Sequence, residues 1–391
     1  MRSSLPPSRP GPSARLIELD GLRGLAAAAV VIHHCLLTVP TFARIGARPG
    51  VVPEEPAARI LTQTPLHLLW AGHEAVLVFF VLSGTALVYP VARRHAQRRR
   101  FDWVDYVPRR IVRLWLPAAA STALAVALMM LVPRSTDASL GPWMTQAHPA
   151  GLSLRHLLLE LALQPRYAYR NTVLWSLHAE AVFSFLLPLV VLVVALAART
   201  RAWWLPAAAC LAVPAVTGDT RALVYVPVFV LGATAGWRWG HLDAVAPERP
   251  APWATPAALV CLVLVTTGWW PGLQESVAGR LAAAVTLAAV SALVVLAVRA
   301  GALRALLRSR TVQYLGALSF SLYLVHEPVI VATRLLTASW PPWLAAPLAV
   351  AVTAPMTWLF HRYVEAPSHR LSRRAGRWVS SRVHRAARRT R

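Results

Sequence analysis

Apolar runs alternate along this chain with breaks rich in proline, arginine or small polar residues. Ten such runs lie near residues 17–38, 68–90, 111–132, 174–198, 203–217, 221–240, 254–270, 277–298, 312–336 and 343–363, and about 20 apolar residues suffice for a helix to cross a bilayer. The pattern predicts an all-α polytopic membrane protein with about ten transmembrane helices. The fifth run is short and holds Pro206 and Pro214, which suits a broken or half helix whose freed carbonyls other protein covers.

Composition agrees: 57% of the 391 residues are hydrophobic and the mean hydropathy is +0.50. The net charge of +24 is carried by arginine, with no lysine anywhere. An even number of spans puts both termini on one side, and 29 of the 40 arginines fall in the segments of that side. Positive residues stay on the cytosolic side, so both termini are expected in the cytosol and the protein in the plasma (inner) membrane as a multi-pass protein. Topology thus accounts for the charge, and no nucleic-acid partner is expected.

Residues 1–15 read as a disordered cytosolic tail, 16–367 as the transmembrane domain, and 368–391 as a basic cytosolic tail attracted to anionic lipid headgroups. No small-residue cleavage site clearly follows Leu37, so the first helix is expected to be retained. Cys35, Cys210 and Cys261 are too few and too scattered for a disulfide framework or a metal cluster. Neither a second domain nor an internal repeat is visible.

Ionisable residues inside the spans carry the chemistry, since each costs roughly 2.5–3.5 kcal/mol at a membrane centre and needs a partner or a wet cavity. In the first span Arg23 and His34 are eleven residues apart, which is roughly 16 Å along one helix face. Asp20 lies close enough to neutralise Arg23, whereas His33 points about 100° away from His34. In the second span His73 and Glu74 stand at the outer end, where exposure in a mouth would account for them, and Ser83 and Gly84 allow another helix or a ligand to approach.

Arg109, Arg110 and Arg113 open the third span; they fit a positive-inside anchor and a phosphate-binding fork equally well. Glu180, about two turns inside the fourth span, wants a partner, which His34 or an arginine would supply; a structural Glu–Arg pair competes with a role beside an imidazole. In the ninth span Tyr323, His326 and Glu327 share a face, and Pro328 frees a carbonyl in the preceding turn. Between the spans, 133–173 contains a possible short helix at Leu152–Leu163, and Arg362–Pro367 reads most simply as a helix terminus with an interfacial ion pair.

The order of these motifs resembles the acyltransferase-3 family, membrane enzymes that move acyl groups from coenzyme A thioesters onto sugars and other acceptors. The resemblance covers about residues 16–367. It rests on Leu19-Asp20-Gly21-Leu22-Arg23-Gly24 with His34 eleven residues beyond Arg23, Phe79-Phe80-Val81-Leu82-Ser83-Gly84, Arg109-Arg110 with Arg113, Trp175-Ser176-Leu177 with Glu180, Ser321-Leu322-Tyr323-Leu324-Val325-His326, and Glu365-Ala366-Pro367. Two positions depart from the family pattern: Thr85 stands where an aromatic usually follows Ser-Gly, and His178 where a small or polar residue is commoner. Both bear on the shape of the acceptor pocket.

The resemblance implies Arg23, His34 and Glu180 as catalytic residues and Arg109, Arg110 and Arg113 as the docking site for acyl-CoA. Asp20, Ser83, Trp175, Tyr323 and His326 would face the substrates. Acyl-CoA is then a co-substrate, with no permanently bound cofactor, and the other partner is a carbohydrate or another hydroxyl acceptor. His34 would act as general base or as a transient acyl carrier. The rival reading from another class is a transporter, or a lipid- or glycan-moving protein, using the same buried polar groups as a relay; a scaffold for polysaccharide synthesis is a third.

Overall fold

The computed structural model describes residues 17–47, 52–148, 151, 153–164, 170–217, 222–242, 250–273 and 277–389, which are mostly helical with no strand among them. The expected tail 1–15 lies outside these residues. All ten apolar runs are helical. The long helices are α1 (Ile17–Leu37), α2 (Gly72–Ala96), α3 (Trp103–Leu131), α4 (Leu174–Ala197), α5 (Leu205–Thr217), α6 (Ala222–Leu242), α7 (Ala254–Leu264), α8 (Val277–Leu296), α9 (Arg310–Leu336), α10 (Pro342–Phe360) and α11 (Ala366–Arg389).

Among the described residues seven helical stretches are long and apolar enough to cross a membrane: α1, α2, α3, α4, α8, α9 and the run that begins with α10. Two of the other runs are short: helix α5 has 13 residues and two prolines, and α7 has 11 and gives way to a 3₁₀ turn at Thr267–Trp269. Caps set the helix starts: Asp102 accepts from the Asp105 N–H at the head of α3, and Ser309 from the Val312 N–H at the head of α9.

Lipid tails give helices no hydrophobic reason to associate, so close backbone packing must supply it. Helices α2 and α6 achieve this with glycine. A Cβ on Gly232 would stand 1.9 Å from the Val81 carbonyl oxygen, and one on Gly84 2.0 Å from that of Phe229. Thr85 lies in this seam, its hydroxyl donating to the carbonyls of Val81 (2.9 Å) and Gly232 (3.0 Å). The departure at Thr85 is thus a feature of the α2–α6 seam, where an aromatic ring would not fit.

The run after α10 does not stop at residue 363. It passes through a π-helical turn, His361–Glu365, in which the Ala366 N–H reaches five residues back to the His361 carbonyl; Pro367 has no N–H to keep the ordinary register. The expected terminal ion pair is replaced by other contacts of Glu365, with the Ser321 hydroxyl at 2.5 Å and His361 Nδ1 at 3.0 Å. Residues expected as a solvated tail form α11, whose buried Ser368, Ser372, Gly376 and Ser380 pack on the start of α3. Glu74 is likewise buried, not exposed in a mouth: the Trp269 indole donates to it at 2.8 Å and His67 lies 3.5 Å away. Its neighbour His73 is exposed.

Gly232→Val forces the α2–α6 seam apart, a cost of roughly 1–3 kcal/mol or more. The purified protein is expected to lose thermal stability in detergent, while Gly301→Ala, where the nearest atom is 3.9 Å from the new Cβ, leaves the unfolding midpoint unchanged.

Candidate active site

The site is assembled by one turn of α9. Pro328 lacks an N–H, which leaves the Leu324 carbonyl without its helical donor. The Ser121 hydroxyl of α3 and the Asn171 side-chain amide, just before α4, both donate to it at 2.8 Å. Next to the proline, the fully buried Glu327 accepts the backbone N–H groups of Thr172 (3.0 Å) and Val173 (2.9 Å). Tyr323, one turn earlier, shares a hydrogen bond with Ser176 at 2.8 Å and donates to the Val173 carbonyl at 3.3 Å. Helices α3, α4 and α9 are thereby pinned at the level of this kink.

Short helix Leu154–Leu161 supports the same junction. Its Glu160 accepts the Arg170 backbone N–H at 2.9 Å and lies 3.4 Å from the Arg170 guanidinium. Burial pushes the Glu160 carboxyl above the ordinary range, against the pull of the Asn171 N–H and the Arg170 charge.

Below the kink, Arg23, Ser83, Ser176, Glu180 and Tyr323 line a narrow cavity of about 40 Å³ walled by Phe79, Phe80 and Phe320. Roughly 10–15 Å³ on this measure holds one water, so the cavity admits a few. The Arg110 guanidinium is in ion contact with Glu180 and donates through Nε to the Ser184 hydroxyl at 2.7 Å; Ser83 donates to Glu180 at 3.3 Å. Glu180 therefore has an arginine as its partner. Arg23 and Arg113 lie within electrostatic reach of that carboxylate and of each other, and no ion pair joins Arg23 to Asp20 among the described residues. Arg113 is exposed. Three guanidinium groups facing two carboxylates, Glu180 and the Glu365 that reaches Arg113, leave a surplus of positive charge that suits an anionic ligand.

Arg109 does not share this place: it pairs with Asp105 at 3.0 Å and packs against Gly376 of α11. Trp175 also turns away, its ring 5.0 Å from Tyr225 and 5.9 Å from Phe80. Asp20 contributes backbone, its carbonyl lying where Gly316 of α9 comes close.

Above the cavity, α1 and α9 bring two imidazoles together. His326 Nδ1 lies 2.9 Å from the Leu322 carbonyl, to which only an N–H can bond, so its Nε2 carries a lone pair. That nitrogen lies 3.1 Å from His34 Nδ1, itself 2.9 Å from the Val30 carbonyl. The proton between the rings then sits on His34 Nδ1, and the half-buried His34 keeps Nε2 free as an acceptor, an assignment that follows from the network. Trp143 flanks the ring at 5.5 Å. His33 is held elsewhere, stacked on Trp70 at 5.4 Å with Nδ1 2.9 Å from its carbonyl.

His326 thus faces His34 while Tyr323 and Glu327 turn to α4, which divides the trio expected on one face. Glu327 brings in a residue that sequence reasoning missed. His148 Nε2 lies 2.7 Å from the Glu327 carboxylate and its Nδ1 lies 2.8 Å from the Trp143 carbonyl. With acceptors on both sides, the pair holds a hydrogen on each imidazole nitrogen or one on the carboxyl group. The run Glu327-Pro328 was the available signal; nothing near His148 announces its partner.

A family model described as an acyltransferase domain matches residues 16–362. The chain belongs to the acyltransferase-3 family. It is similar to O-acetyltransferase PaAT-1 of Phomopsis amygdali, with 34% identity over 118 residues, covering 29% of this chain and 22% of that relative. The shared part is under a quarter of the relative's length. No solved structure is a significant match. In this acyltransferase-3 chain the matched span contains Arg23, Arg110, Arg113, Glu180 and both facing histidines, and ends inside the π-helical turn.

Glu327→Leu removes the acceptor of two buried N–H groups and strands His148, at a cost of about 3–5 kcal/mol. Glu327→Gln keeps an acceptor and is expected to lower the thermal midpoint of the purified protein by much less.

Proposed function

We propose that this acyltransferase-3 protein is a membrane-embedded O-acyltransferase with ten crossing helices and both termini in the cytosol. It moves an acyl group from acyl-CoA to a hydroxyl of a sugar, a glycan or a secondary metabolite. The observation that carries this reading is the His34–His326 contact of 3.1 Å, which leaves the one unprotonated nitrogen of His34 as a base. An O-acetyltransferase among its relatives points to the same reaction class.

Donor phosphates settle on Arg113, Arg110 and Arg23, where positive charge exceeds negative. The pantetheine arm then follows α1 toward His34, eleven residues or roughly 16 Å beyond Arg23. Because the cavity holds only a few waters, Phe79 and Phe320 swing aside to admit the arm. His34 Nε2 takes the proton of the acceptor hydroxyl as its oxygen attacks the thioester carbonyl. The tetrahedral intermediate collapses, the C–S bond breaks, and the coenzyme A thiolate leaves and takes up the proton from His34. His326 is a positioning residue that fixes the tautomer.

Acyl-CoA consumption and mass-spectrometric detection of the acylated acceptor test this. His34→Ala is expected to lower kcat about 10²–10⁴-fold, the usual worth of a general base, while His33→Ala stays near wild type. Arg23→Ala and Arg113→Ala raise KM for acyl-CoA. His326→Ala lowers kcat with little change in KM, and His326→Gln, which can still accept from His34 Nδ1, recovers part of the loss. Full activity in His34→Ala would sink the proposal, and substrate accumulation in proteoliposomes without acyl-CoA would favour transport.

A further inference from the structure

A second cavity, of about 350 Å³, lies between the C-terminal ends of α2, α4 and α6, away from the site just described. His95, His241, Arg199, Arg238, Trp203 and Trp237 line it. Among the described residues no acidic side chain does so, and neither arginine has a carboxylate partner there. The Arg238 guanidinium lies 4.5 Å from the centre of the Trp203 ring. This cation–π contact seats the guanidinium while leaving its N–H groups able to bond a ligand.

The two histidines have a fixed polarity. His241 Nδ1 is 2.8 Å from the Trp237 carbonyl and must donate to it, so its Nε2 accepts from His95 Nδ1 at 3.2 Å. His95, which is exposed, therefore offers Nε2 as an acceptor beside two cationic forks. A ligand matched to this wall carries an anionic phosphate for the arginines and a hydroxyl for His95. On the outer side of α4 the exposed Leu192, Val193 and Leu196 give an apolar strip leading from the cavity into the bilayer. Arginine and tryptophan together are also the side chains of a membrane interface.

We infer that this cavity binds the headgroup of an anionic phospholipid with a hydroxyl-bearing cap on its phosphate, of the phosphatidylglycerol type. Arg199 and Arg238 hold the phosphate, His95 accepts from the headgroup hydroxyl, and the acyl chains lie along the α4 strip. The inference is independent of the acyl-transfer reading, because it uses none of its residues.

Native mass spectrometry of the full chain released from nanodiscs is the test. From phosphatidylglycerol discs the wild type is expected to retain one lipid per chain, and from phosphatidylcholine discs none. Arg199→Gln with Arg238→Gln lowers retention at least about tenfold, as loss of two headgroup-level charges implies. His95→Ala lowers it less, and Arg98→Gln with Arg99→Gln, outside the cavity, leaves it unchanged. Equal retention in the Arg199/Arg238 variant and the wild type would overturn the inference, as would an equal loss in the Arg98/Arg99 control. Displacement of the lipid by adenosine 3′,5′-bisphosphate or inorganic phosphate at micromolar concentration would reassign the site to a soluble phosphate.

Discussion

One orphaned carbonyl organises this protein. In hydrocarbon a backbone oxygen without a donor costs several kcal/mol, and water is not at hand to relieve it. Pro328 creates such an oxygen at Leu324, and relief comes from Ser121 on one helix and Asn171 at the head of another. Meeting that demand fixes where α3 and α4 stand against α9. Glu327 completes the arrangement by taking the free N–H groups at the start of α4. Everything functional is measured from that junction: Glu180 two turns along α4, Arg110 and Arg113 along α3, His326 just before the proline.

Charge is distributed unevenly around this frame. Near the kink each buried carboxyl group has a dedicated partner, Arg170 for Glu160 and His148 for Glu327. The cavity region breaks the pattern, with three guanidinium groups to two carboxylates, Glu180 and Glu365. Such an imbalance is costly in an empty protein and favourable once an anion arrives, so binding energy and fold stability are exchanged at the same spot.

Much of this architecture is legible in the sequence, because membrane helices must be apolar for their whole length and buried charges stand out against them. All ten runs became helices, and Arg23, Ser83, Glu180 and Tyr323 did converge on one cavity. What was not legible depends on partners distant in the chain. His148 lies 179 residues from Glu327, in a segment with no periodicity. Trp269, which buries Glu74, is 195 residues away from it. Arg109 and Arg110 are adjacent and differ by about 100° in direction; which of them enters the cavity is decided by α11, a segment whose composition suggests a solvated tail.

The π-helical turn at His361–Glu365 gives that last point a mechanical meaning. An extra residue within a turn rotates everything downstream by about 100° about the helix axis. It is this rotation that aims Ser368, Ser372, Gly376 and Ser380 at α3 rather than at solvent or lipid. Helix α11 then acts as a splint along the first turns of α3, occupying the side from which Arg109 projects and leaving Arg110 the inward one. The C-terminus of the chain thus sets the rotational phase of the helix that carries the cavity's arginines, so the two ends of the fold behave as parts of a single linkage.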